Sequence, residues 1–143
     1  MDIREITPRY FVSPQIDPVD LADLKAQGFT CVICNRPDEE IPPSHYASVM
    51  QEAAKEAGLN FVVNPLTHET MTDERLALQR AELESAEGKV LAYCASGTRS
   101  TVAWVLRHAY SASPDTLLEA AAQGGYQLEA LRGRIEFIAS QKR

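Results

Sequence analysis

Apolar positions along the chain fall into two alternating kinds of run. Short, nearly continuous runs rich in β-branched and aromatic residues occur at "RYFVS" (9–13), "FTCVIC" (29–34), "LNFVVNP" (59–65) and "KVLAY" (89–93). Such runs read as strands, and continuity in place of alternation marks strands covered on both faces. Between them lie longer stretches with helical spacing and helix punctuation. Residues 17–28 have Asp17 as a cap, Pro18 at the first helical position and Gly28 at the exit. Residues 44–58 run from a Ser44 cap to Gly58, and 71–88 run from a Thr72 cap, with a Met71–Leu76 staple, to Gly88. "STVAWVLRHAYS" (100–111) predicts a fourth helix, and Ser113-Pro114-Asp115 opens a fifth that Gly124-Gly125 closes. "QLEALRGRIEFIASQ" (127–141) predicts a last one, weakened at Gly133. "NRPDEEIPP" (35–43) and "LTHET" (66–70) read as loops.

Strands alternating with helices predict an α/β fold: a mostly parallel central sheet flanked by helices on both faces. There is no internal repeat or linker, and 143 residues suit one domain spanning 1–143. In such sheets ligands bind at the carboxyl ends of the strands. Cys94 occupies one such end, Asn35-Arg36 and Asn64 two others.

The stretch after the last strand, "CASGTRS" (94–100), carries the chemistry. Ala95, Ser96, Gly97 and Thr98 are small or polar, and Gly97 permits a positive φ. A tight loop of such residues can turn backbone N–H groups inward as an anion-binding nest. A helix starting near Ser100 aims its positive end at the same spot, and Arg99 adds a planar cationic fork. These features favour Cys94 as a thiolate. Bringing a thiol from ~8.5 to about 5–6 takes on the order of 4 kcal/mol. One helix end supplies only roughly 0.3–2 kcal/mol. The balance falls to loop N–H groups, Arg99 and the Ser100 hydroxyl, at about 1.5–3 kcal/mol for each hydrogen bond to a charged group. A buried cysteine that merely ends a strand is the alternative, but apolar packing gives no reason for an arginine there.

Composition narrows the partners. The net charge is −6, from 14 basic and 20 acidic residues, which argues against nucleic acid, whose phosphates want a basic face. No apolar run approaches the ~18 residues of a membrane span, and "MDIREITPRY" carries charge where a signal peptide needs an apolar region. Three cysteines do not make a disulfide framework, so a reducing, cytoplasmic setting is the simplest expectation. The three histidines, His45, His68 and His108, show no metal-ligand spacing, and no metal or cofactor is expected.

"YFVSPQI", "DLKAQGFTCVICNRPDEE" and "VLAYCASGTRS" together resemble the phosphatase-like domain of the beta-lactamase-hydrolase-like protein family. The similarity covers roughly residues 3 to 130, and its most specific parts are the "NRPDEE" and Cys94 loops. It implies the α/β fold of dual-specificity phosphatases, in a family described both as phosphatases and as sulfur transferases. Two departures bear on the reaction. Cysteine phosphatases place five residues between cysteine and arginine and usually a histidine before the cysteine. Here four residues separate Cys94 from Arg99, and Tyr93 precedes it. "CASGTRS" in turn resembles a rhodanese loop, apart from Ala95 where arginine is frequent.

Two chemistries follow. For sulfur transfer, Cys94 attacks the outer sulfur of thiosulfate or a persulfide and passes it to a thiol, with no general acid. For phosphate hydrolysis, Cys94 attacks phosphorus, Arg99 clamps two oxygens and an acid protonates the leaving group. The resembled phosphatases carry that acid as an aspartate about 30 residues earlier. Here "NPLTHET" has none, His68 and Glu69 are substitutes, and Asp73 is more distant. The loop length and the absent aspartate both favour sulfur transfer through a Cys94 persulfide as the expected reaction. A phosphatase using phosphocysteine is the alternative, and a non-catalytic anion-binding module the third. Arg36 either lends charge to the site or pairs with Asp38 or Glu39. The acidic run 38–40 reads as a solvated loop. Cys31 and Cys34, three apart in a strand, face opposite sides and belong to the core, with Cys34 a less favoured candidate for resolving Cys94. His45 and His108 read as solvated or packed helix residues, Trp104 to Leu106 as core, and Tyr93 as a packed side chain.

Overall fold

Five short strands build one sheet, and their order fixes where the chemistry lies. A computed structural model describes residues 1–141. The strands are β1 (Arg4–Glu5), β2 (Tyr10–Ser13), β3 (Phe29–Cys34), β4 (Asn60–Val63) and β5 (Lys89–Tyr93), in the spatial order β1-β2-β5-β3-β4. β2, β5, β3 and β4 run parallel; β1 pairs antiparallel with β2 at the edge. The sheet is therefore mixed, mostly parallel. β1 has no sequence signal, because both of its residues are charged and exposed.

The helices are α1 (Asp20–Ala26), α2 (Ala47–Ala57), α3 (Asp73–Ser85), α4 (Thr98–His108), α5 (Pro114–Gln123) and α6 (Arg132–Ser140). Alternation along the strands feeds two cores. Cys31, Ile33, Val90 and Ala92 face α3, α4, α5 and α6 through Leu76, Val105, Leu117 and Ile135. Val32, Cys34, Leu91 and Tyr93 face α1 and α2 through Leu24, Met50 and Ala54. Helices thus cover both faces, as continuous apolar strands require. Trp104, Val105 and Leu106 of α4 are buried in the core on that side of the sheet. Among the described residues no helix is long and apolar enough to cross a membrane.

Several helix starts differ from the sequence reading. Asp17 does not cap α1: its own N–H donates to the Asp20 carboxylate (2.8 Å), and the helix begins three residues after it. Ser44 does not cap α2. Residues 43–45 form a separate 3₁₀ turn, and the Ala47 N–H is satisfied by Asp38 Oδ1 (2.8 Å) from the acidic loop. Thr72 and Ser113 cap α3 and α5 as the sequence reads, accepting from the Arg75 and Thr116 amides. Gly88 lies beyond the end of α3. A Cβ there would meet Thr30 Cγ2 at 2.7 Å, so close approach, not helix exit, requires glycine. α4 starts two residues earlier than expected, and α6 starts at Arg132, so Gly133 falls in its first turn.

Candidate active site

The carboxyl ends of β3 and β4 are tied to α3, to Tyr10 of β2 and to the first turn of α4 by a buried polar network. Asn35, directly after β3, donates through Nδ2 to the Asn64 carbonyl (2.9 Å) and to Gln79 Oε1 (2.7 Å). Its Oδ1 accepts from Gln79 Nε2 (2.9 Å) and from the Ser100 hydroxyl (2.8 Å). Asn64 donates to Gln79 Oε1 (3.0 Å) and the Arg75 carbonyl (3.0 Å), and Gln79 also donates to Tyr10 Oη (2.9 Å). Tyr10 Oη in turn donates to the Ser100 carbonyl (2.7 Å). These groups have water on no side, so their mutual pairing is what makes burial tolerable. The network pins the first turn of α4 to the strand ends.

Cys94 follows β5 directly and is 1% exposed. The Gly97 N–H donates to Cys94 Sγ at 3.1 Å. Gly97 has φ of 92° and serves as the N-cap of α4, a left-handed conformation that glycine adopts without strain. The expected nest is narrower than the sequence suggests. Ala95, Ser96 and Thr98 are exposed, and the Thr98 N–H is taken by the Ser96 hydroxyl (3.4 Å). Thr98 and Arg99 belong to the helix, not to the loop. Ser100 lends nothing to the sulfur: its hydrogen goes to Asn35, so its role is to hold α4 in place.

Arg99 is held by two neighbours. Nη1 donates to Glu40 Oε2 (2.8 Å) and to the Leu66 carbonyl (2.8 Å), and Nη2 donates to Glu40 Oε1 (2.7 Å). The result is an end-on, two-point carboxylate fork, which fixes the plane of the guanidinium. The hydrogen bond and charge of Glu40 raise the Arg99 pKa despite partial burial, and the nearby Cys94 adds to the rise. Arg36 pairs with neither Asp38 nor Glu39. It donates to Glu40 Oε1 (3.3 Å) and the Glu40 carbonyl (3.2 Å), backing the same carboxylate. The acidic run is thus not simply solvated: Asp38 caps α2, and Glu40 organises both arginines.

His68 and Glu69 are exposed on a turn closed by reciprocal Thr67–Thr70 bonds, next to the Leu66 carbonyl that Arg99 grips. Tyr93 faces the α1–α2 side with Cys34, its β3 partner, while Cys94 turns to the α4 side. Cys34 therefore does not address Cys94; its thiol points to the Arg36 carbonyl (3.4 Å), and burial raises its pKa. Burial likewise pushes Cys31 up to about 12, and both thiols pack within the cores. His45 bonds Asp17 (2.6 Å), and His108 lies at the end of α4 with its pKa lowered by burial.

Glu40 also carries a pH signature. Arg99, then Arg36, hold its carboxyl below the ordinary glutamate value. The stability this adds is fully present above about pH 4.3 and is lost as pH falls through the depressed value. Because Glu40 is one-third exposed, the effect is small. The thermal midpoint of Glu40→Gln is expected to lie below wild type at neutral pH, and the gap to narrow on acidification below about pH 4. A gap independent of pH excludes the ion pair as its source.

Residues 2–111 match the family described as the beta-lactamase hydrolase-like protein, phosphatase-like domain. This chain belongs to that family. Among the relatives of this phosphatase-like domain, a beta-lactamase hydrolase-like protein of Agrobacterium fabrum is 33% identical over 104 residues, 73% of this chain and 24% of the relative. The domain spans about a quarter of the length of the curated relatives it matches. A crystal structure of a candidate phosphatase from Neisseria meningitidis Z2491 superimposes with a TM-score of 0.83 at 28% identity, covering 96% of this chain and 99% of that one. P. aeruginosa TpbA, crystallised with phosphotyrosine, shares the fold at a TM-score of 0.62 and 13% identity, over 97% and 90% of the chains. The phosphatase-like fold is thus shared.

The sequence names Cys94 and Arg99 but not Glu40 or Gln79. Gln79 had a signal: it lies on the apolar stripe of α3 between Leu76 and Leu83, where a polar residue needs buried partners. Glu40 was hidden in an acidic run.

Proposed function

We propose that this chain hydrolyses phosphate monoesters through a phosphocysteine at Cys94. The observation that carries the reading is the placement of Cys94 under the Gly97 N–H beside an oriented Arg99, on a phosphatase-like-domain chain. Cys94 Sγ attacks phosphorus, and the bond from phosphorus to the leaving oxygen breaks. Water then attacks phosphorus, the S–P bond breaks, and inorganic phosphate departs with the thiolate regenerated. The Gly97 amide supports the sulfur, while the helix end of α4 and the Arg99 N–H groups not taken by Glu40 and Leu66 meet charge on the equatorial oxygens.

Substrate choice follows from the leaving group. The loop after β4 offers exposed His68 and Glu69 but no aspartate, so protonation of an alkoxide is poorly served. An aryl monoester, whose phenoxide leaves without a proton, is the favoured class, and the phosphotyrosine bound by TpbA is of that class. p-Nitrophenyl phosphate is expected to turn over, with an alkyl monoester slower by roughly 10²–10⁴-fold. Equal rates on the two would show that an acid is in place; no turnover of either would remove the hydrolase reading.

A second reading, sulfur transfer through a Cys94 persulfide, has one observation in its favour: the four-residue spacing from Cys94 to Arg99. Its test is the intact mass after incubation with thiosulfate. A gain of one sulfur atom on wild type, absent from Cys94→Ser, supports it over phosphate hydrolysis.

A further inference from the structure

The peptide unit that reaches the sulfur is gripped from behind. The Gly97 N–H on Cys94 and the Ser96 carbonyl belong to one planar trans peptide, so they point in opposite directions. The Tyr126 hydroxyl donates to that Ser96 carbonyl at 2.9 Å. We infer that Tyr126 is a positioning residue for the nucleophile, aiming and polarising the Ser96–Gly97 peptide so that its N–H stabilises ionised Cys94. This rests on the reading of Cys94 as the nucleophile.

Four observations support it. A hydrogen bond accepted by a carbonyl strengthens the donor at the other end of the same amide. Gly97 lacks the side chain that would collide here: a Cβ would lie 2.0 Å from Tyr126 Oη, so glycine is required both for its φ of 92° and for the hydroxyl's approach. Tyr126 is itself fixed. Its N–H donates to the Ala121 carbonyl (2.9 Å), and it follows Gly125, whose φ is 97°. The Arg4 guanidinium lies 5.9 Å from the ring centroid and donates to the Gly124 carbonyl (3.3 Å), so the edge strand braces the tyrosine. Finally, burial raises the Tyr126 pKa, with the charge of Cys94 adding to the rise, so the hydroxyl keeps its proton. The following peptide is clamped in the same manner: Thr101 Oγ1 donates to the Gly97 carbonyl at 2.8 Å.

The test is the pH profile of iodoacetamide alkylation, located at Cys94 by peptide mass spectrometry. In Tyr126→Phe, which keeps the ring, the midpoint is expected to rise by about half a pH unit relative to wild type. 3-Fluorotyrosine at position 126, a stronger donor of nearly the same shape, is expected to lower it below pH 8, where the phenol is still protonated. An unchanged midpoint in both folded variants overturns the positioning role while leaving the nucleophile intact. A wild-type profile matching that of the urea-unfolded chain overturns the nucleophile reading, and this inference with it.

Discussion

Replacing Cys94 by serine is expected to lower aryl phosphate turnover by at least about 10⁴-fold while inorganic phosphate still binds. The reason lies in what the site can and cannot ionise. One amide at 3.1 Å, the end of α4 and Arg99 can stabilise a thiolate. A serine alcohol is far less acidic, and no side chain at hydrogen-bonding distance from Sγ is a base. The serine oxygen therefore stays protonated and attacks poorly. Binding is a separate matter. The Gly97 amide, the helix end and the Arg99 N–H groups left over from Glu40 and Leu66 are all retained in Cys94→Ser, so the anion keeps its donors. Steady-state turnover with p-nitrophenyl phosphate reads the first quantity, and phosphate titration by calorimetry reads the second. Loss of both indicates that the loop needs the sulfur to fold; retention of turnover places the chemistry elsewhere.

The parts of this site legible in the sequence were those whose physics is local. Cys94, Gly97 and Arg99 lie within six residues, and a strand end, a glycine and an arginine at those offsets mark the strand–turn–helix junction without further context. The parallel strands β3 and β5 were legible for the same reason, because a continuous apolar run announces burial on both faces. What failed was partner choice across the chain. Ser100 looks like a donor to sulfur when only its neighbours in sequence are considered; three-dimensional placement gives its hydrogen to Asn35, 65 positions away. Glu40 is 59 positions from Arg99, and nothing in "DEE" distinguishes the residue that forks an arginine from the one that caps a helix. The spacing from Cys94 to Arg99 was incomplete as a guide: four residues separate them, yet Arg99 lies in the first turn of α4, braced by Glu40 and the Leu66 carbonyl, a placement that only the fold reveals.

Asn35→Leu is expected to destabilise the fold by roughly 3–5 kcal/mol, a large fraction of the stability of a domain this size. Asn35 is fully buried and makes four hydrogen bonds, to the Asn64 carbonyl, to both ends of the Gln79 amide and from the Ser100 hydroxyl. Leucine matches its size, so little cavity term arises; the cost comes from partners left behind. Ser100 is 0% and Gln79 4% exposed, so neither can turn to water. Each orphaned group costs about 1–3 kcal/mol. Urea unfolding should therefore show a lower midpoint with an unchanged slope, since the surface exposed on unfolding is the same. The double replacement Asn35→Leu with Gln79→Leu separates pairing from packing. Removing both partners eliminates the orphaned amide, so the pair of changes should cost less than the sum of the two single ones. Strict additivity would mean that the network contributes only through shape. Because the same asparagine holds Ser100, the single variant should also lose turnover at urea-free, fully folded conditions: the first turn of α4 is then free to shift, and Arg99 with it.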